Sequence, residues 1–406
     1  MQKLLISITL FSIFFFHILV TVAAEKPDNI SGKGYLFTNI IDIPTTSVKD
    51  QGRSGTCWSF ATTSFIESEI IRLGYGEFDL SEMFFVKHAY SCKAKKYMRY
   101  HGLTNFSEGG QGHDVMNVIR EFGIVPESVY NGMINDFTDH EHSELIDELK
   151  GILDNSLKNR EDYTGKSLEL FDVALDIYLE KTPEKFFIKE VEYSPKSFAQ
   201  SVKVIPDDYI ELTSYRIYPY YSKVDLEIPD NWSHDRYFNI PLEEMMDLIN
   251  SALNNGFSIN WDGDVSERGF SHKRGIAIIP EMNSENMEDS CRAKWDKLSE
   301  EEQLRKMYDF SKPRREVAVD ENDRQDSFDK FKTTDDHLMH IVGTATDQNG
   351  TLYYTTKNSW ADDSNDMEGK LYMSESYVKL KTVAIQVHKD AIPSKLKKKL
   401  GIIDGD

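Results

Sequence analysis

Residues 50–60 read DQGRSGTCWSF, placing Cys57 between a Gly-Thr pair and a Trp where a periodic apolar run begins. From Cys57 to Leu73, CWSFATTSFIESEIIRL, apolar residues recur at 58, 60, 65, 66, 70, 71 and 73, near helical spacing. Gly74 follows as a natural stop. Cys57 is therefore predicted at or just before the first turn of a helix. There the positive end of the dipole and the unpaired N–H groups favour a thiolate over a thiol. Gly52 and Gly55 let the preceding loop approach a ligand closely, and Gln51 adds an amide donor upstream.

A nucleophilic cysteine needs a base, a group that orients the base, and donors for an oxyanion. His337 begins a predicted strand in DDHLMHIVG, and Asn358 ends the next one in KNSW. The Asn349-Gly350 turn between them makes the two strands neighbours. An antiparallel hairpin can set an Asn amide beside a His ring. The Asn carbonyl would then hold one tautomer, and Trp360 would shield that bond from water. His340 is the rival base. Three residues apart on a strand, the two histidines point to opposite faces, so only one reaches the cleft, and His340 reads as packed or surface-lying. Asp336 either tunes the base or points to solvent.

Working outward, LSEMFFVKHAY (80–90) is a predicted helix capped by Ser81, and HDVMNVIREF (113–122) is another, ended by Gly123. Charged amphipathic patterns follow around 141–158 and 166–181. The stretch from Asp207 to Ile228 is rich in Tyr, Ile and Val and reads as strand. PLEEMMDLINSALNNG is a helix started by Pro241 and ended by Gly256. FSINWDGD, KLYMSE and TVAIQVHK read as strands, and the charged stretch 281–333 as a surface excursion. Helices early and antiparallel strands late predict an α+β fold. The divisions expected are a leader at 1–24, a Cys-bearing part at about 25–130, an insertion at about 131–235, a His/Asn β part at about 236–400, and a tail at 401–406.

The chain has 406 residues, 40% of them hydrophobic, with a net charge of −21. That charge opposes a nucleic-acid partner, and the one compact basic run, Lys395–Lys399, reads as a solvated helix face. The N-terminus resembles an export signal. Lys3 precedes a long apolar stretch, and Val22, Ala23 and Ala24 fit a cleavage site before Glu25. The expected location is periplasmic or extracellular. The apolar run is also long enough to cross a bilayer, so an uncleaved membrane anchor is the competing reading. Three cysteines exclude a disulfide scaffold. Cys92 and Cys291 are either bridged or reduced, and Cys92 reads as an inert core residue. The run DHEH at Asp139–His142 lacks metal-ligand spacing and reads as a solvated turn. No metal or organic cofactor is implied.

Together, DQGRSGTCWSF, DDHLMHIVG and KNSW resemble the Cys, His and Asn blocks of papain-like cysteine peptidases, in that family's order. The resemblance implies a two-lobed fold and peptide substrates. It casts Cys57 as nucleophile, His337 as base, Asn358 as orienter and Gln51 as oxyanion donor. EGGQGHDVMNVIREFGIVPESVY resembles the family's Gly-Gly segment, which implies that Gly109 and Gly110 pair with the substrate main chain. Cys57 and His337 stand 280 residues apart, about twice the separation in a compact papain-type domain. Segments such as PDDYIELTSY and FSINWDGDVS resemble the bleomycin hydrolase (aminopeptidase C) branch, which carries such insertions. That branch implies an aminopeptidase whose C-terminus lies in the cleft, and closed assemblies. Departures from the pattern are Leu338, where relatives have a small residue, and Ala361, where the family has Gly. A catalytically weak peptide-binding module and an open-cleft endopeptidase are the alternatives. Only 32 residues separate the predicted mature start from Cys57, too few for an independently folded inhibitory pro-segment.

Overall fold

The computed structural model describes residues 28–29, 34–134, 139–160, 165–281 and 289–402, with backbone alone at 28–29 and 289–291. The predicted leader at 1–24 and the tail carboxylates Asp404 and Asp406 lie outside these residues.

The early helices are α1 (Cys57–Arg72), α2 (Glu82–Arg99), α3 (Gly112–Glu121), α4 (Ser143–Asn159), α5 (Lys166–Leu179) and α6 (Pro195–Ser201). Every α1 side chain from Cys57 to Ile70 is buried, which makes it the axial helix of this lobe. Ser81 caps α2 by accepting from the Phe84 N–H at 3.1 Å. At the start of α3 the Gln111 N–H donates to Asp114 Oδ2 at 2.9 Å. Phe65, Phe84, Leu149, Leu175 and Phe198 share one core, so α4 and α5 belong to the same lobe as α1.

The strands are β1 (Asp28–Asn29), β2 (Leu36–Asp42), β3 (Phe186–Ile188), β4 (Val191–Tyr193), β5 (Tyr209–Thr213), β6 (Ser222–Asp225) and β7 (Arg236–Asn239), continued by β8 (Ile259–Gly263), β9 (Phe270–Ser271) and β10 (Ile276–Ala277). The C-terminal strands are β11 (His337–Thr346), β12 (Leu352–Lys357), β13 (Lys370–Ser374) and β14 (Thr382–His388). The main sheet runs β6-β7-β5-β14-β8-β11-β12-β13-β10-β9, and β3 pairs with β4 apart from it. The stretch 207–228 is therefore two strands, β5 and β6, interrupted at 214–221.

Strand β11 is the spine. The Asn349-Gly350 turn folds β12 back along one edge, with His340 opposite Lys357. Its other edge meets β8 at His337–Ile341 and β2 at Gly343–Thr346. A bulge lies between Ile341 and Gly343. A Cβ at Gly343 would stand 2.1 Å from the Ile41 carbonyl oxygen, so only glycine admits this strand approach.

Helix α7 (Leu242–Asn254) backs the sheet and shares a second core with Trp261, Met339 and Ile385. The charged excursion carries α8 (Asp289–Trp295), α9 (Glu300–Met307) and α10 (Glu321–Asp329). It is more than a surface feature. Arg324 of α10 is 1% exposed, donating to the carbonyls of Ser214 and Lys379 at 2.7 and 3.1 Å. Helices α11 (Glu375–Lys381) and α12 (Ser394–Leu400) close the chain, with Gly401 as a left-handed cap.

Candidate active site

Cys57 is the first residue of α1 and lies buried at the boundary of the two lobes. The main-chain N–H of Leu338 on β11 donates toward its thiol. Burial pushes that thiol up to about 12, against the pull of the Leu338 N–H. The carboxylates of Asp230, Asp335 and Asp262 push it the same way as burial, and the α1 N-terminus acts in the opposite sense.

His337 opens β11 and is 4% exposed. Its Nε2 lies 2.7 Å from Asn358 Oδ1. The Ser359 N–H donates to the same Oδ1 at 2.8 Å. A main-chain N–H can only donate, so that atom is the amide oxygen, and His337 Nε2 must carry the proton. Nδ1 is left as the basic nitrogen. Burial pushes His337 down to about 4, partly opposed by the Asn358 hydrogen bond. Trp360 lies over the pair, its ring centroid 4.9 Å from that of His337 at 35°.

The amide of Asn358 has a second partner that sequence reading missed. Its Nδ2 lies 3.1 Å from His272 Nδ1. His272 Nε2 in turn meets Ser364 Oγ at 2.7 Å, and that hydroxyl donates to the Ala361 carbonyl at 2.7 Å. Each link has one direction: His337 to Asn358 to His272 to Ser364 to the main chain. His272 lies just past β9 in FSHKRG, and no spacing in the sequence ties it to KNSW.

Gln51 is buried and locked to the Asn segment. Its Oε1 accepts from Ser359 Oγ at 2.7 Å, and its N–H donates to the Ser359 carbonyl at 2.9 Å. Nε2 spends one proton on the Ser54 carbonyl at 2.7 Å and keeps the other. Gly110 is buried where a Cβ would stand 3.0 Å from the Trp58 ring. A Cβ at Gly109 would meet Asp230 Oδ2 at 1.9 Å. Glu108 fastens this segment to the cysteine loop by accepting from the Gly55 N–H at 2.5 Å.

Other candidates fall elsewhere. His340 points at mid-α1, its Nδ1 2.9 Å from Ser64 Oγ. Asp336 is exposed and accepts from Thr334 Oγ1 at 2.8 Å. The DHEH run is not a solvated turn. His140 and His142 are buried, and the His140 carbonyl accepts from the Arg53 N–H at 2.7 Å. Pairing with the cysteine loop, invisible from local composition, draws them in. Cys92 is free and only half-buried, not a core residue, and the side chain of Cys291 lies outside the described residues. Among the described residues no group of three or more side chains is suited to a metal. Leu338 is 3% exposed and belongs to the helical-lobe core, so a large side chain fills the cleft wall beside Cys57.

A cysteine at the head of a buried helix, met by the Leu338 N–H of a strand whose first residue, His337, is held by an asparagine, is the arrangement of a papain-like cysteine peptidase. A profile described as papain family cysteine protease matches residues 41–173. The chain is 21% identical over 397 residues to aminopeptidase G of Lactobacillus delbrueckii subsp. lactis, covering 86% of this chain and 82% of that one. It is likewise 21% identical over 402 residues to aminopeptidase C of Lactobacillus helveticus, covering 88% and 83%. The crystal structure of PepW from Lactobacillus rhamnosis HN001 superposes with a TM-score of 0.66 at 18% identity, covering 90% of this chain and 84% of that one. The chain thus carries a papain-family cysteine peptidase domain at residues 41–173, and the relatives it resembles along most of its length are named aminopeptidases G and C.

Proposed function

We propose that this cysteine peptidase is an exported aminopeptidase that cleaves peptides through a thioester on Cys57. The observation that carries the assignment of roles is the 2.7 Å contact of His337 Nε2 with Asn358 Oδ1. It leaves Nδ1 free to take the thiol proton. Cys57 Sγ attacks the scissile carbonyl, and His337 Nδ1 takes the proton and then delivers it to the departing amine. Asn358 holds the ring in the competent tautomer. The unused Nε2 proton of Gln51 and the Cys57 N–H receive the oxyanion. Water then opens the thioester with His337 as base. Main-chain contacts at Gly109 and Gly110 align the peptide.

Aminopeptidase action is supported by the names of the relatives, and export by the apolar stretch that ends before Glu25. Cys57→Ala and Cys57→Ser should abolish peptide hydrolysis, whereas Cys92→Ser should leave it largely intact. A thiol-directed peptide inhibitor should label Cys57 in the wild-type chain. Undiminished turnover by Cys57→Ala would overturn the assignment.

A further inference from the structure

Beside Cys57 the lobe boundary holds acceptors that lack donors. Asp262 on β8 stands directly opposite Leu338 of β11, the residue whose N–H points at the thiol. Asn260, two residues earlier on the same face, donates through Nδ2 to Thr62 of α1 at 2.9 Å. Asp262 therefore lies toward the N-terminal end of α1, where Cys57 sits. It is 3% exposed, and neither of its carboxylate oxygens has a donor among the described residues. The same is true of Asn260 Oδ1, in a side chain 2% exposed. Asp262 faces Asp335, whose two oxygens each accept from Gln111 Nε2 at 3.0 Å. Asp262, Asn260, Gln111 and Leu338 line one small opening of about 10 Å³, room for a single water-sized group such as an ammonium.

A buried carboxylate without a donor is strongly disfavoured. Two chemistries relieve it: a proton shared with the facing acid, or a cation. Burial and the facing carboxylate raise Asp262, and burial together with Asp230 brings Asp335 to about 7, as in a pair that shares one proton. The free ammonium of a peptide's first residue is one such cation, and the substrate carries it to this place beside the nucleophile.

We propose that Asp262 and Asp335, helped by the Asn260 carbonyl, form a subsite for the free α-ammonium of the substrate's first residue. An ammonium brings three donors and no acceptor, the complement of this lining. The reach also fits. The α-nitrogen lies about 2.5 Å from the scissile carbonyl carbon, and adjacent strands are about 4.8 Å apart. Asp262 stands one strand away from Leu338, whose N–H reaches Sγ, and directly opposite it in the register. Three or more residues before the scissile bond would leave the ammonium beyond this lining. The subsite rests on the aminopeptidase reading above and gives it a mechanism built into the sheet rather than the chain terminus.

The test uses the full chain and three fluorogenic substrates: leucyl amide with a free amine, its N-acetyl form, and an N-acetyl-lysyl-leucyl amide. The wild type should favour the free amine over the acetylated form by about 100-fold in kcat/KM. That ratio should fall by about tenfold or more in Asp262→Asn and, separately, in Asp335→Asn. Leucinamide should raise the melting temperature of Cys57→Ala, and fail to do so when Asp262→Asn is added. If the ratio and the leucinamide shift survive both substitutions, the subsite is wrong. If deletion of residues 401–406 removes the ratio while both Asn variants keep it, the tail holds the amine instead. If the acetylated lysyl substrate is the one that suffers, the bound ammonium is a side chain's and the assignment falls. Full activity in Cys57→Ala would instead overturn the thiol chemistry, a separate failure.

Discussion

The proton on His337 Nε2 is held by a run of donors ending on main chain, and His272 is the link on which the amide of Asn358 depends. Without His272, Asn358 Nδ2 would be a buried donor with no acceptor, a loss of about 1–3 kcal/mol. A carboxamide freed of that partner can turn over and present its NH2 to His337, which favours the wrong tautomer. His272→Ala should therefore lower kcat by about tenfold or more with KM nearly unchanged. His272→Gln, which restores an acceptor, should recover part of the loss. A purely structural role would instead lower the melting temperature without this split between kcat and KM. His337→Ala should cost several orders of magnitude, and His340→Ala far less, because His340 faces Ser64 rather than the cleft. If His340→Ala proved the more damaging change, the base would be misassigned.

The turn after β12 shows where one residue type sets a conformational cost. Ala361 has φ 63° and ψ 154°, a region that side chains rarely occupy and that costs about 1–3 kcal/mol. The family pattern has Gly here, so the departure noted in the sequence is a strained backbone position in the structure. The strain is held by the Ala361 N–H on the Lys49 carbonyl at 3.2 Å and by Ser364 on the Ala361 carbonyl. Ala361→Gly should stabilise the chain by about 1 kcal/mol net of the added freedom of the unfolded state, read from thermal or denaturant unfolding. A less stable glycine variant would show that the strain has been relaxed elsewhere. Such elements were largely legible in the sequence when their signals were local. The α1 periodicity with Gly74, the Asn349-Gly350 hairpin and the Pro241 helix start all rest on neighbours within a few residues. Cys57, Gln51, His337, Asn358 and Trp360 could be named for that reason. His272 and the Asp262–Asp335 pair could not. Asp262 reaches the site because β8 lies between β14 and β11 and sets it opposite Leu338, and His272 because β9 pairs with β10 and β10 with β13, pairings distant in the chain with no turn signal to announce them. The DHEH run failed for the same reason, since its burial comes from the cysteine loop.

The two lobes are joined by an ion pair whose strength depends on pH. His113 of α3 donates its main-chain N–H to Glu211 Oε1 of β5 at 2.9 Å, and its Nδ1 lies 2.8 Å from Glu211 Oε2. Around the ring stand Asp114 on α3, Asp235 just before β7, the Tyr237 hydroxyl at 3.4 Å and Ser233 Oγ at 2.9 Å. Burial pushes His113 down, but Glu211 and Asp114 outweigh it and hold the imidazolium to about pH 9. Unfolded, the ring loses its proton near 6.5. Between those values the folded chain binds the extra proton. The pair's contribution is thus complete below about pH 6.5 and is lost as pH rises toward 9. Buried lysines work the other way above pH 8, since burial lowers Lys93 and Lys357 to about 8. A melting curve of the wild type alone would mix these effects. The difference between wild type and His113→Gln isolates the histidine. That stability gap should be widest near pH 6 and narrow by up to about 3 kcal/mol at pH 9. A gap that stays constant across this range would mean that His113 does not hold an extra proton in the folded chain.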